Sequence, residues 1–431
     1  MNPGNERVIQ FGEGGFLRGF FDWMLKKMND AGVFSGKAVI VQPIEKGMCS
    51  ALSEQGCVYN HIIRGKEGVE ESRIDVISRC VEPYTDWNGY IALAEQKGLR
   101  FIVSNTTEAG IVYKDDDSPN DVPNISFPAK LTLLLKARYD AGLNGFIILP
   151  CELIEKNGEK LKSCIEQYAE KWGYSDEFID WVENDNIFCS TLVDRINTGY
   201  PNGDDICLKY PNDRLLNVSE YFHLWVIESE KDISSELPLQ KAGLNVIFTK
   251  DKLDEYRTRK VRILNGAHTS LVSYGLLSGF ETVRECVEDE KTSAFLHECI
   301  FSEIIPILSG DKTQLKEYAD NVLIRFDNPY INHKLKSISL NSVSKFKYRV
   351  LPSIMEYKNR FNVYPPALVF GFAKLIEYYK KNEPNDERYA VDYIKNHSIR
   401  EILSNAELWD MDIYDQDLED MITEDVDKIE W

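Results

Sequence analysis

A short apolar run, RVIQF at 7–11, passes straight into the turn Gly12-Glu13-Gly14-Gly15, and the apolar residues behind it recur at 17, 21, 24, 25 and 28. The run reads as a buried strand, and the spacing after it is that of one helical face. A strand, a glycine turn and a helix in immediate succession leave few folds open. The helix has to cross over and return the chain to a second strand parallel to the first. The runs AVIVQ (38–42), RFIVSN (100–105), GFIILP (145–150) and NIFCSTLV (186–193) supply further strands. Between them, WNGYIALAEQKG and PAKLTLLLKARYDAG have helical spacing. Such alternation predicts an α/β unit, a parallel sheet with helices on both faces. Gly32 is placed to end the first helix and Pro43 to end the second strand.

Beyond about residue 250 helical periodicity takes over, from Asp251 to Leu277, Thr292 to Leu308 and Pro365 to Lys381. A chain of 431 residues is long enough for two or three cores. The change of texture divides it into an α/β domain at 1–249 and a mainly α-helical domain at 250–431. The tail from Asp410 is acidic but keeps Leu418, Met421, Ile422, Val426 and Ile429, the pattern of a docked amphipathic helix.

With 70 acidic residues against 50 basic ones, the net charge is −20. Such a surface repels phosphate backbones and anionic bilayers, which argues against nucleic acid and membranes as partners. A small anionic ligand needs only a few local cations. No apolar run reaches the ~18 residues of a membrane span, and MNPGNERVIQF lacks the basic head and apolar stretch of a signal peptide. Nine scattered cysteines without a CxxC pair fit a reducing cytoplasm, and they offer no metal framework. The sequence leaves the oligomeric state open, monomer included.

Two constellations carry chemistry. The turn Gly12, Gly14, Gly15 and Phe16 has the context of a dinucleotide phosphate site, where glycines permit positive φ and close approach of the backbone. It departs from GxGxxG, because Leu17 takes the third glycine's place, so a plain tight turn remains a second reading. Arg18 either pairs with phosphate or sits exposed in the first helical turn. Where an acid usually holds the ribose at the end of the second strand, this chain has Gln42, with Glu45 the nearest acid and no arginine for a 2′-phosphate. That favours NAD over NADP.

The second constellation is Lys260, Asn265 and His268. On a helix, His268 lies one turn from Asn265 and about two turns from Lys260. An amine, an amide and an imidazole on one side of a helix suit proton transfer beside a carbonyl. Taken singly each has a structural reading: Lys260 stands among Arg257, Arg259 and Arg262, and Asn265-Gly266 reads as a helix break.

Together the segments QFGEGGFLRGFFDW (10–23), SNTTEAGI (104–111), LPCELIEKNG (149–158), FCSTLVDRINTGYP (188–201), KVRILNGAHTSLV (260–272), RFDNP (325–329) and KFKYRVLPSI (345–354) carry a resemblance. In order and identity they resemble the polyol-specific long-chain dehydrogenases, the mannitol dehydrogenase family. The resemblance implies an N-terminal Rossmann-type domain, a mainly α-helical C-terminal domain and a cleft between them. It also implies metal-independent, NAD-dependent hydride transfer at a CH–OH group. By the same resemblance Lys260 is the acid/base, Asn265 stabilises the reacting oxygen and His268 binds or orients a substrate hydroxyl. Gly12, Gly14, Gly15 and Phe16 map to the cofactor turn, with Arg18 and Gln42 the further cofactor-side candidates, and Thr107 and Glu108 map to the loop beside the nicotinamide. Where the mannitol enzymes carry a Cys-Asp pair followed by a catalytic asparagine, this chain has Cys151-Glu152-Leu153. That departure points to the branch acting on hexuronate-derived keto acids, tagaturonate to altronate, with Asn105 as a substitute for the missing amide. A sugar-acid carboxylate needs cations, for which Arg195, Lys345 and Arg349 are the candidates. Fructuronate, a neutral polyol, or a non-catalytic nucleotide sensor are the rival expectations.

Overall fold

The computed structural model describes residues 5–106, 109–428 and 430–431. Contacts divide the chain into two compact units, Met1–Leu253 and Asp254–Trp431.

Six parallel strands form the central sheet of the first unit. In chain order they are Glu6–Phe11, Lys37–Val41, Ile77–Val81, Phe101–Ser104, Ile147–Pro150 and Ile187–Phe188, and across the sheet they lie 3-2-1-4-5-6. This is the Rossmann order, and its topological switch falls between the first and fourth strands. Successive strand positions are apolar because both faces are covered. Val8, Ile40, Val103 and Leu149 enter one core, while Ile9, Val39, Ile102 and Ile148 enter the other.

Two expected elements divide. The helix expected from Leu17 is two helices, Gly15–Gly19 and Phe21–Asp30, broken at Phe20 with φ −116 and ψ −75. Gly32, at φ +67, closes the second by donating its N–H to Asn29 O. The run at 186–193 is also two elements. Ile187–Phe188 stays in the central sheet, whereas Ser190–Asp194 joins Leu224–Glu228 and Val246–Thr249 in a separate sheet. The crossover is Cys189, whose N–H still bonds Ile148 O. A third sheet, in the order Asn197–Gly199, Asn217–Ser219, Tyr59–Gly65 and Gly68–Ile74, lies against the glycine helix.

The second unit is helical, as its periodicity predicts. Leu253–Arg259 is α-helix, Lys260–Asn265 is π-helix, and Gly266–Leu277 is α-helix again. The last of these is buried from Gly266 to Gly275 and packs on Pro366–Lys381. The acidic tail forms the helix Gln416–Asp425, capped by Asp415, and it docks on Pro366–Lys381 with Leu418 and Ile422 fully buried. Ile429 lies outside the described residues. All nine cysteines are free thiols. Among the described residues no helix is long and apolar enough to cross a membrane, and no His/Cys/Asp/Glu group could hold a metal ion.

Candidate active site

In the first unit the glycine turn sits at the topological switch. Gly12 has φ +111, its N–H donates to Val41 O, and an added Cβ would stand 2.9 Å from the backbone oxygen of Asn105. The first and fourth strands thus approach too closely for any side chain at this position. Gly14 differs. Its φ of −64 and ψ of 163 suit any residue, and nothing lies within 4 Å of an added Cβ. Its bareness leaves space in front of the turn rather than relieving the fold.

Behind the turn, two asparagines of the third sheet hold the glycine helix. Asn197 and Asn217 both donate to Gly15 O, at 2.8 and 2.9 Å. At Gly19 an added Cβ would meet Asn197 Nδ2 at 1.9 Å and His61 Cε1 at 2.9 Å. Phe16 is half-buried and stacks on Phe20.

Two cations expected to meet ligands are structural instead. Arg18 is buried, donates to Glu13 O and Leu215 O, and covers the Tyr59 ring, so it is neither a phosphate partner nor an exposed first-turn residue. Arg195 is also buried. It donates to Glu220 O through two nitrogens and to Gly19 O through the third, over the Trp23 ring. A cation on the last carbonyl of the glycine helix fixes the helix end. The guanidinium is therefore withdrawn from carboxylate recognition.

Gln42 folds the loop after the second strand. Its Nε2 donates to Ile44 O and Glu45 O, and its Oε1 accepts from Cys49 N. Glu13 Oε1 accepts from Met48 N in the same loop, and burial pushes the Glu13 carboxyl up. On the far side of the switch, the buried Glu152 accepts from Ser104 Oγ and from both the N–H and the hydroxyl of Thr106. Asn105 donates its amide to Cys151 O. These bonds fasten Ser104, Asn105 and Thr106 at the end of the fourth strand; Thr107 and Glu108 lie outside the described residues. Glu152 and Asn105 were legible as motif members, but what they hold was not.

Beneath the turn, burial pushes the Asp22 carboxyl up to about 7, against a hydrogen bond from Tyr59 and the charge of Arg18. An unfolded Asp ionises near ~3.9, so the folded state keeps its proton longer. Stability from this group is complete at low pH and is lost as pH rises toward 7. Asp22→Asn removes that penalty. Its stability advantage over wild type should grow by about 2 kcal/mol between pH 5 and pH 8, roughly 5 °C in Tm. Calorimetry at the two pH values checks this, and a constant difference would refute it.

In the second unit, π-helical winding governs the signature. In an α-helix, residues five apart turn through ~500° and end ~140° out of line. The wider i→i+5 turn brings them into register, so Lys260 and Asn265 fall on one side. Gly266 closes the π segment with its N–H on Val261 O, and an added Cβ there would stand 3.1 Å from Arg349 O. The expected helix break at Asn265-Gly266 is therefore a change of winding, with the neighbouring backbone approaching the glycine closely. Lys260 and Asn265 are half-buried.

His268 is buried one turn further on, its ring stacked on Phe326 at 3.9 Å and perpendicular to His333 at 4.8 Å. Burial, then the charges of His333, Arg325 and Arg349, hold it well below the ordinary histidine range. It is neutral near pH 7, and its Nε2 has no hydrogen-bond partner among the described residues. Arg349 is half-buried, and desolvation lowers it. Lys345, one turn earlier, donates to Ile338 O and is lowered by burial and by Arg349. The structure thus gathers His268, Arg325, Arg349 and Lys345 into one cationic neighbourhood of a strongly acidic chain. His333 escaped sequence reasoning, and Arg325 and Phe326 were legible only as members of the RFDNP segment, because no local spacing connects the three to His268.

Residues 6–241 match the mannitol dehydrogenase Rossmann domain and residues 252–430 the mannitol dehydrogenase C-terminal domain. The chain belongs to the mannitol dehydrogenase family. Among curated members, it is 44% identical to the altronate oxidoreductase of Bacillus subtilis over 398 residues, covering 90% of this chain and 82% of the relative. The altronate oxidoreductase of Phocaeicola vulgatus is 44% identical over 386 residues, 87% of this chain and 80% of its own. Among solved structures of the family's fold, a D-sorbitol dehydrogenase in substrate-free form aligns with a TM-score of 0.82 at 20% identity, covering 99% of this chain and 93% of its own. The Pseudomonas fluorescens mannitol 2-dehydrogenase, in ternary complex with NAD and D-mannitol, aligns with a TM-score of 0.71 at 19% identity, covering 98% and 91%.

Proposed function

We propose that this chain is an NAD-dependent oxidoreductase interconverting tagaturonate and altronate, with Lys260 moving the proton. The observation that carries the reading is the register of Lys260 with Asn265 in a chain 44% identical to altronate oxidoreductases over nearly its whole length. The bare space before Gly14 at the sheet switch fits a dinucleotide. NAD is favoured over NADP because Gln42 spends its amide on its own loop and no arginine follows it.

A bound nicotinamide supplies the hydride in one direction and accepts it in the other. In reduction, the ammonium form of Lys260 gives its proton to the forming alkoxide, and the Asn265 amide offers an N–H to the same oxygen. Oxidation runs the same transfer in reverse, with the Lys260 amine taking the hydroxyl proton as hydride leaves for the nicotinamide. His268 presents Nε2 to a neighbouring substrate hydroxyl. Arg349, with Lys345 beside it, receives the carboxylate.

Oxidation of NADH with tagaturonate, fructuronate, fructose and fructose 6-phosphate, repeated with NADPH, tests this. Tagaturonate with NADH should exceed each alternative at least about tenfold in kcat/KM, a difference of ~1.4 kcal/mol. Preference for fructose moves the chain to the neutral polyol enzymes. NADH binding without turnover on any ketose makes it a sensor.

A further inference from the structure

Beyond the signature triad, His268 has a neighbour whose mounting is unusual for a loop residue. His333 donates its backbone N–H to Ile331 O, and its carbonyl accepts from Val283 N at 3.1 Å. Next to it Lys334 bridges to Thr282, and Leu335 N donates to Glu281 O. Residues 281–283 are themselves fixed by the capping box of Thr282 and Glu285. The backbone at His333 and just after it is therefore tied to a helix start, and the half-buried imidazole it carries stands at 85° to the ring of His268.

The other support of His268 is Phe326, lying flat against it at 17° and only 5% exposed. Between a parallel ring and a perpendicular one, the plane of the buried imidazole is fixed. That orientation leaves Nε2 without a partner, and an unpaired buried polar atom is unfavourable. An orientation enforced at that cost fits a nitrogen reserved for a ligand. The charged and titratable groups acting on the ring are His333, Arg325 and Arg349.

We propose that His333 is a positioning residue for the sugar-acid reaction: its ring, rather than its nitrogens, completes the clamp with Phe326 that aims His268 Nε2 at the substrate. This rests on the reading of His268 as a substrate-facing residue.

The test uses the full chain with His333→Ala, His333→Phe and His268→Ala, each assayed for altronate oxidation across pH. In parallel, the histidine ring resonances are followed by NMR titration. H333A should lower kcat/KM on the order of 10- to 100-fold, the effect of loosening a positioned group. Its His268 ring resonances should shift and broaden as the ring loses its fixed plane. H333F should recover most of the loss, because it restores a ring at the same place. Equal losses in H333F and H333A would overturn the proposal, since the nitrogens of His333 would then matter. So would wild-type activity in H333A alongside a damaged H268A. Wild-type activity in H268A itself would instead overturn the role of His268, and with it the premise.

Discussion

Lys260→Met should abolish turnover while the cofactor still binds. Removing a positioned acid/base lowers a rate by about 10²- to 10⁴-fold, and here the same group serves both directions, so we expect a loss of about 10³-fold in kcat for reduction and oxidation alike. Methionine keeps the length of the stem within the π-helical turn, so the winding from Lys260 to Asn265 survives. NADH affinity, which the proposed function assigns to the glycine turn, should change less than about threefold. Turnover within tenfold of wild type would remove Lys260 from the chemistry and leave its basic neighbours Arg257, Arg259 and Arg262 as a plain surface stretch.

The second large effect separates two glycines that look alike in sequence. Gly12→Ala forces a side chain into φ +111 and sets its Cβ 2.9 Å from Asn105 O. Strain of that kind costs about 1–3 kcal/mol, and displacement of the switch should abolish NADH binding as well. Gly14→Ala imposes neither penalty, since its backbone is extended and the space around it is empty. It should fold with a stability within ~0.5 kcal/mol of wild type, yet weaken NADH binding on the order of 100-fold by occupying the space the dinucleotide needs. Fluorescence titration with NADH beside thermal melts of both variants distinguishes them. A Gly14→Ala protein that binds NADH like wild type would place the cofactor elsewhere.

Much of this site was legible without coordinates, because several signals are local. A strand running into glycines and then into a helical period marks a dinucleotide turn, and Lys260, Asn265 and His268 are separated by intervals that a helix converts into proximity. What went astray was the assignment of cations. Arg18 and Arg195 stand in motif segments, beside glycines and an aspartate, and their charge suggested ligands. Both are spent on backbone carbonyls, at Glu13 and Leu215 for one and at Glu220 and Gly19 for the other. A guanidinium has five donors, and no pattern along the chain tells whether distant carbonyls will consume them.

Periodicity alone determined the α/β-then-α plan, because strands covered on both faces and helices with one apolar face each leave a repeat within a few residues. Tertiary structure decided everything that depends on which distant segments meet. It set the π winding that aligns Lys260 with Asn265, the close approach of the Arg349 carbonyl to Gly266, and the clamp of Phe326 and His333 around His268. The last two join residues far apart along the chain, and their geometry exists only once the helices have packed.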